Sequence, residues 1–186
     1  MEDTFRDIIL QHREALKAVE ENRNNIVLLS RLLRNTLKEN NKIIICGNGG
    51  SAADAQHFAA ELVGRFNKNR RPLPAIALTT DTSIITAVAN DFGFKEIFKK
   101  QIEAWGKKGD ILIAISTSGN SENVIEAVKA AKQKGIKTVG LLGKNGGKIK
   151  KIVDLPIVIQ SKSTARIQEM HILILHTVAE IIENSL

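Results

Sequence analysis

The sequence predicts an α/β fold: a three-layer sandwich with a central, mostly parallel sheet flanked by helices, preceded by a helical N-terminal extension. Three observations carry it. Short β-branched and aliphatic runs recur between stretches of helical periodicity. Those runs are apolar throughout rather than alternating, as strands covered on both faces are. A glycine-rich turn follows the first run directly, where a parallel strand hands over to a helix.

Residues 1–40 read as two helices. Ile8, Ile9, Ala15, Leu16 and Val19 form one loose apolar stripe, Glu21 to Asn25 interrupts it, and Ile26, Leu29, Leu33 and Leu37 resume at helical spacing. Asn40-Asn41 ends the second helix, and Lys42 to Cys46 is a short buried strand. Further strands are expected at 75–79, 111–115, 137–141 and 155–159, the last at an edge. Helices are expected at 51–65, 82–89, 93–105, 121–134 and 163–184, with Gly135 placed to close the fourth of these. No repeat, low-complexity tract or linker divides the chain, so the expectation is one domain over 1–186 with 1–40 as its extension.

With 43% hydrophobic and 25% charged residues, the composition excludes disordered and collagen-like chains. A single cysteine, Cys46, leaves no disulfide framework. No apolar run approaches the ~18 residues of a membrane helix, and the acidic start lacks the pattern of a signal peptide. A reducing cytoplasm is the expected compartment, with no membrane partner. The net charge of +7 suits general solubility or small anionic ligands. Only 4% aromatics, and no basic block or zinc-finger spacing, argue against a nucleic-acid partner. The lysines of the 144–151 loop (Lys144, Lys148, Lys150, Lys151) read as solvated surface.

Two turns have the composition of ligand loops. Gly47-Asn48-Gly49-Gly50-Ser51 lets backbone N–H groups converge, and Ser51 with Asp54 has the spacing of a helix cap. It has neither the Walker A lysine nor the dinucleotide spacing. Ser116-Thr117-Ser118-Gly119-Asn120-Ser121 sets four hydroxyls beside a helix N-terminus, which suits a terminal phosphate. The absence of a cation inside that loop favours a metabolite monophosphate over a nucleoside triphosphate. Two further patterns carry chemistry only weakly when read alone. His57 and Glu61, four apart, share one helical face, and Gln168 and His176, eight apart, are offset by roughly 80° around the last helix. Each is equally an ordinary surface or core pair, and Asn90-Asp91 is equally a turn.

The strand–GNGGS–helix and strand–STSGNS–helix pair resembles a sugar isomerase (SIS) domain. Together with Gln56 to Glu61, Ala89 to Phe94 and Ala165 to His171, it resembles the phosphoheptose isomerase family across nearly the whole chain. The resemblance implies a homotetramer in the cytoplasm that converts sedoheptulose 7-phosphate to D-glycero-D-manno-heptose 7-phosphate through an enediol. This is the first step toward activated heptose for surface polysaccharides such as lipopolysaccharide. It implies a Zn²⁺ ion at His57, Glu61, Gln168 and His176, with Glu61 and His176 also moving protons. By the same resemblance Ser116, Thr117, Ser118 and Ser121 cradle the phosphate. Asn48, Gly49, Gly50, Ser51, Asn90 and Asp91, with Glu61 and Gln168, contact the substrate. Arg65 matches a basic residue of the family that lies near the site or faces solvent.

A second class is a non-catalytic relative that binds the bacterial replication initiator and shares the glycine loop and the Ala165 to His171 stretch. It lacks the carboxylate matching Glu61 and the histidine matching His176, so their presence here points to an enzyme. Arabinose 5-phosphate isomerases and the glucosamine 6-phosphate-forming aminotransferase carry further domains that are not expected in these 186 residues.

Overall fold

A computed structural model describes residues 1–186. Five parallel strands, β1 (Ile43–Cys46), β2 (Ala75–Ala77), β3 (Ile111–Ser116), β4 (Lys137–Gly143) and β5 (Leu155–Ile159), form one sheet in the order β2-β1-β3-β4-β5. Seven α-helices accompany it: α1 (Glu2–Glu21), α2 (Arg23–Lys38), α3 (Gly50–Val63), α4 (Thr82–Phe92), α5 (Ile97–Trp105), α6 (Glu122–Gln133) and α7 (Thr164–Ser185). The expected strands and helices are all present, most with ends shifted by one to three residues. The region 93–105 splits into a 3₁₀ turn at Phe94–Glu96 and α5.

The continuous apolar strands are explained by burial on both faces. Along β1 and β3, Ile43, Ile45, Ile111, Ile113 and Ile115 point into a core closed by α2, α3 and α7. Ile44, Cys46, Leu112 and Ala114 point into the opposite core, closed by α5 and α6. The period-two alternation therefore divides one strand between two apolar layers. The cysteine belongs to this packing, and burial pushes its thiol up to about 12.

Two connections show how local chemistry sets the elements. Gly135 (φ +69) lies just past α6, where Ile136 N–H donates to Ala131 O at 2.9 Å and Gly135 N–H to Lys132 O at 3.0 Å. That is a Schellman closure needing a left-handed residue. Asn22 alone separates α1 from α2, and its amide donates to Ala18 O (2.8 Å) and to Val158 O on the edge strand β5 (3.1 Å). The edge is thereby partly covered. No helix is long and apolar enough to cross a membrane.

His171 on α7 is fully buried, and neither ring nitrogen makes a hydrogen bond. Burial pulls its pKa from 6.5 down to about 4, against a smaller opposite pull from the Leu142 backbone. Because the folded value lies below the unfolded one, stability is full above 6.5 and is lost as pH falls toward 4. Urea melts at pH 7 and pH 4.5 should show about 2–3 kcal/mol of acid destabilisation attributable to this ring. His171→Asn should lose that share of the pH dependence; identical pH dependence in both proteins would contradict the assignment.

Candidate active site

The order β2-β1-β3-β4-β5 reverses direction between β1 and β3. Open parallel sheets bind ligands at such a switch point, outside the carboxyl ends of the two strands. Both ligand-type turns of the sequence emerge there. Asn48, in the turn after β1, and Asn123, in the first turn of α6, exchange amide hydrogen bonds of 2.9 and 2.8 Å. This reciprocal pair ties the glycine loop to the serine loop and leaves Asn48 one N–H to offer.

The glycine loop is shaped by close approach. Gly49 has φ +57. A Cβ on Gly47 would meet Ser51 O at 2.7 Å, and one on Gly50 would run into the Gln168 amide arriving from α7. Gln168 thus packs on the loop and makes no hydrogen bond to the histidines. The cap expected of Ser51 is not formed. The helix starts one residue earlier, at Gly50, so Ser51 lies buried within the first turn and Gly49 takes the cap position without a side chain. Asp54, the expected box partner, has one buried oxygen without a hydrogen bond. Burial raises its pKa to about 6, partly offset by the charge of His57 one turn on.

In the serine loop Ser121 stands at the cap position of α6 but does not cap it. Its hydroxyl lies 2.9 Å from that of Ser116, which also accepts Gly119 N–H at 3.1 Å. Ser118 accepts Asn120 N–H at 3.1 Å, and Thr117 is half-buried with its hydroxyl unengaged. Gly119 (φ +67) packs against the Gly146-Gly147 backbone, where any Cβ would collide. The turn is hydroxyl-lined and set on a helix N-terminus where Ser121 caps no amide; Val124 N–H is taken by Asn123 Oδ1 at 3.0 Å, and the Glu122 and Asn123 amides are left for an anion.

Beside these loops His57 and Glu61 of α3 meet the sequence-distant His176 of α7. His57 Nε2 lies 2.9 Å from Glu61 Oε1 and 3.3 Å from His176 Nε2. The three ligand atoms all fall within 4.8 Å of one another. The imidazoles meet edge-on, with centroids 4.9 Å apart, and Phe66 packs on His176 at 5.6 Å. Three electron-pair donors converging this closely repel unless a proton or a cation lies among them. Two nitrogens on a tetrahedral Zn²⁺ with ~2.0–2.1 Å bonds are about 3.3 Å apart, so the spacing fits such an ion.

Asn90 and Asp91 are not a turn. They occupy the last turn of α4, exposed, and Asn90 donates to Asp91 at 2.8 Å. Neither hydrogen-bonds the histidine–glutamate group. Arg65 is exposed just past α3 and donates to Asn69 at 3.0 Å.

A family model described as the SIS domain matches residues 9–143. A phosphoheptose isomerase from Aliarcobacter butzleri is 54% identical over 178 residues, 95% of this chain and 94% of its own length. The chain belongs to the phosphoheptose isomerase family. Solved structures of family members agree in fold. A phosphoheptose isomerase from Neisseria gonorrhoeae superposes with a TM-score of 0.88 at 44% identity, over 97% of this chain and 99% of its own. One from Francisella tularensis gives 0.89 at 38% identity, over 97% and 98%.

Sequence reading missed Asn123, Phe66 and the half-buried carboxylate of Asp54 with its one unpartnered oxygen. Asn123 carried a weak signal, as an amide two residues past the serine loop. Phe66 and Asp54 carried none, because their importance lies in which helix packs beside them.

The loop geometry gives a direct test. If these hydroxyls hold a charged oxygen, Ser118→Ala or Ser121→Ala removes one donor to it, worth roughly 1.5–3 kcal/mol, or about 10- to 100-fold in affinity. Calorimetry with the sugar phosphate should read that loss with the fold intact; unchanged affinity in both variants would rule out the cradle.

Proposed function

We propose that this chain is an aldose–ketose isomerase that interconverts sedoheptulose 7-phosphate and D-glycero-D-manno-heptose 7-phosphate. The observation that carries the reading is the convergence of His57, Glu61 and His176 beside a hydroxyl-lined anion loop at the switch point of the sheet. The family membership, at half-identity with phosphoheptose isomerases over nearly the whole chain, agrees with it.

The phosphate sits against Ser116, Thr117, Ser118 and Ser121 and the α6 N-terminus, which sets the far end of the sugar. Asn48, the backbone of Gly49 and Gly50, Ser51 and Gln168 orient the hydroxyls. A base must then take a proton from C1 of the ketose while an acid protonates the C2 carbonyl oxygen, giving an enediol; a proton is then returned to C2 while the C1 hydroxyl loses its own. Imidazole and a carboxylate whose surroundings tune them suit both tasks. His176 moves the proton at C1, and Glu61 serves C2 and the oxygens. A Zn²⁺ ion held by His57, Glu61, His176 and Gln168 would supply positive charge beside the reacting oxygens. The presence of both Glu61 and His176 at one point in space favours an enzyme over an initiator-binding regulator.

We extend the reading to the assembly. The whole chain acts as one SIS domain in the cytoplasm, with 1–40 as its extension, and four copies form the working unit. The support is apolar surface that one copy leaves uncovered: Phe5, Ile8, Ile9, Leu10 and Leu16 on α1, Phe92 at the end of α4 and Phe94 in the 3₁₀ turn that follows. Helix α4 is apolar yet has no fully buried residue. Symmetric closure is the usual way to cover such faces. Asn90 and Asp91 lie on that α4 face, so their substrate contact is made across a subunit boundary. Light scattering should give about four times 20.4 kDa; a clean monomer would contradict the assembly.

The product heptose feeds surface polysaccharide such as lipopolysaccharide. The test of the function is incubation of the purified protein with sedoheptulose 7-phosphate. Aldose phosphate should appear; none, with metal supplied or stripped, would refute it.

A further inference from the structure

We propose that Glu183 and Arg70 are positioning residues that hold α3 and α7 at the crossing which brings Glu61 and His176 together. The inference rests on the isomerase reading for what that crossing is used for.

Glu183 lies two turns past His176 on α7, and its side chain is only 3% exposed, unusual for a lone carboxylate near a helix end. It accepts three consecutive backbone N–H groups of the loop after α3: Phe66 at 3.1 Å, Asn67 at 2.7 Å and Lys68 at 2.8 Å. Arg70 Nε lies 3.2 Å from the same carboxylate, and the Arg70 side chain is 12% exposed. The guanidinium then reaches back to the open end of α3, donating to Glu61 O at 2.6 Å, Leu62 O at 2.8 Å and Gly64 O at 3.2 Å. Glu61 and Leu62 are among the last carbonyls of α3, which have no partner within the helix; Leu62 O also accepts Leu73 N–H at 3.0 Å, and Gly64 is the residue just past the helix. The fork of arginine suits several acceptors at once where a lysine does not.

The network touches both arms of the site. Through Arg70 it fixes the main chain of Glu61. Through the 66–68 backbone it fixes Phe66, whose ring packs on His176 at 5.6 Å. A carboxylate that accepts three amides and is ion-paired with an arginine is largely engaged within the protein, so it makes no direct demand on substrate. Its place in the molecule is mechanical, a brace between the last turn of α3 and the C-terminal part of α7.

The test uses full-length protein with Co²⁺ alone as metal probe, read by visible absorption, together with steady-state kinetics. Glu183→Gln keeps the size but weakens the acceptor and removes the charge opposite Arg70. Loss of an outer partner of metal-holding residues typically costs about 10–100-fold in metal affinity or activity. Expected are a folded protein, kcat down by about tenfold or more with KM changed little, and weaker Co²⁺ binding with an altered band shape. Val178→Ala, a buried truncation on the same helix away from the loop, serves as the stability control and should leave band shape and kcat unchanged. Wild-type kcat and Co²⁺ affinity in Glu183→Gln would overturn the proposal, as would the same losses in Val178→Ala. If Glu183→Gln fails to fold, Arg70→Lys is judged by the same criteria. A wild-type protein that binds Co²⁺ but turns over no sugar phosphate would defeat the isomerase reading and leave the brace decided by the Co²⁺ data. One that turns over without binding Co²⁺ leaves it decided by kcat. One that does neither overturns both.

Discussion

Glu61→Gln is expected to lower turnover of sedoheptulose 7-phosphate by ~10²–10⁴-fold, the usual loss when a general acid or base is removed. The substitution keeps the size of the side chain and its ability to accept a hydrogen bond from His57, now 2.9 Å away. It removes the capacity to take up a proton. Glu61 is 21% exposed at its side chain and lies on a helix whose packing is carried by Phe58 and Leu62, so the fold has no reason to change. Circular dichroism and assembly mass should match the wild type. Metal content must be measured alongside, because the same oxygen lies in the ligand group and a lost ion would imitate a lost base. Near-normal turnover in a folded, metal-matched variant would remove Glu61 from the proton-transfer role.

His176→Gln should cost a similar ~10²–10⁴-fold, with an additional signature. His176 Nε2 faces His57 Nε2 at 3.3 Å, and no other residue offers a replacement nitrogen at that point. Metal retention should therefore fall more sharply than in Glu61→Gln, since an amide is a poorer Zn²⁺ ligand than imidazole. Dialysis against a chelator followed by metal analysis reads this separately from turnover. Equal retention in wild type and His176→Gln would mean that the imidazole pair is a hydrogen-bonded contact and not a ligand pair.

Much of this architecture was legible because it depends on local pattern. The runs at 43–46 and 111–115 are apolar on both faces, as doubly covered strands require, while the edge run at 155–159 is fully buried on one face only. Gly135 announced the end of α6 for a backbone reason that holds whatever packs nearby. The spacing of His57 and Glu61 gave their shared face correctly. Other features were out of reach for equally physical reasons. Ser51 has the composition of a cap, but the glycines before it let the helix begin at Gly50, so a hydroxyl expected at the cap is buried in the first turn. Asn90 and Asp91 are common in turns, yet α4 runs through them to Phe92 because Gly93 (φ +92) supplies the break. The Asn48–Asn123 pair and the His57–His176 contact join positions 75 and 119 residues apart. The first exists because the sheet order places the β1 and β3 loops side by side, the second because α7 packs on α3, and no spacing within one segment encodes either.

Proton exchange between C1 and C2 of a ketose phosphate is the chemistry assigned to this pocket. It is tested most directly by running the reaction in D₂O and following it by proton and carbon NMR. An aldose phosphate is expected whose growth depends on Glu61 and His176, with deuterium entering at C1 or C2 of product and recovered substrate. Conversion that carries the original hydrogen from C1 to C2 with no solvent deuterium in either pool, even after prolonged equilibration, would contradict it.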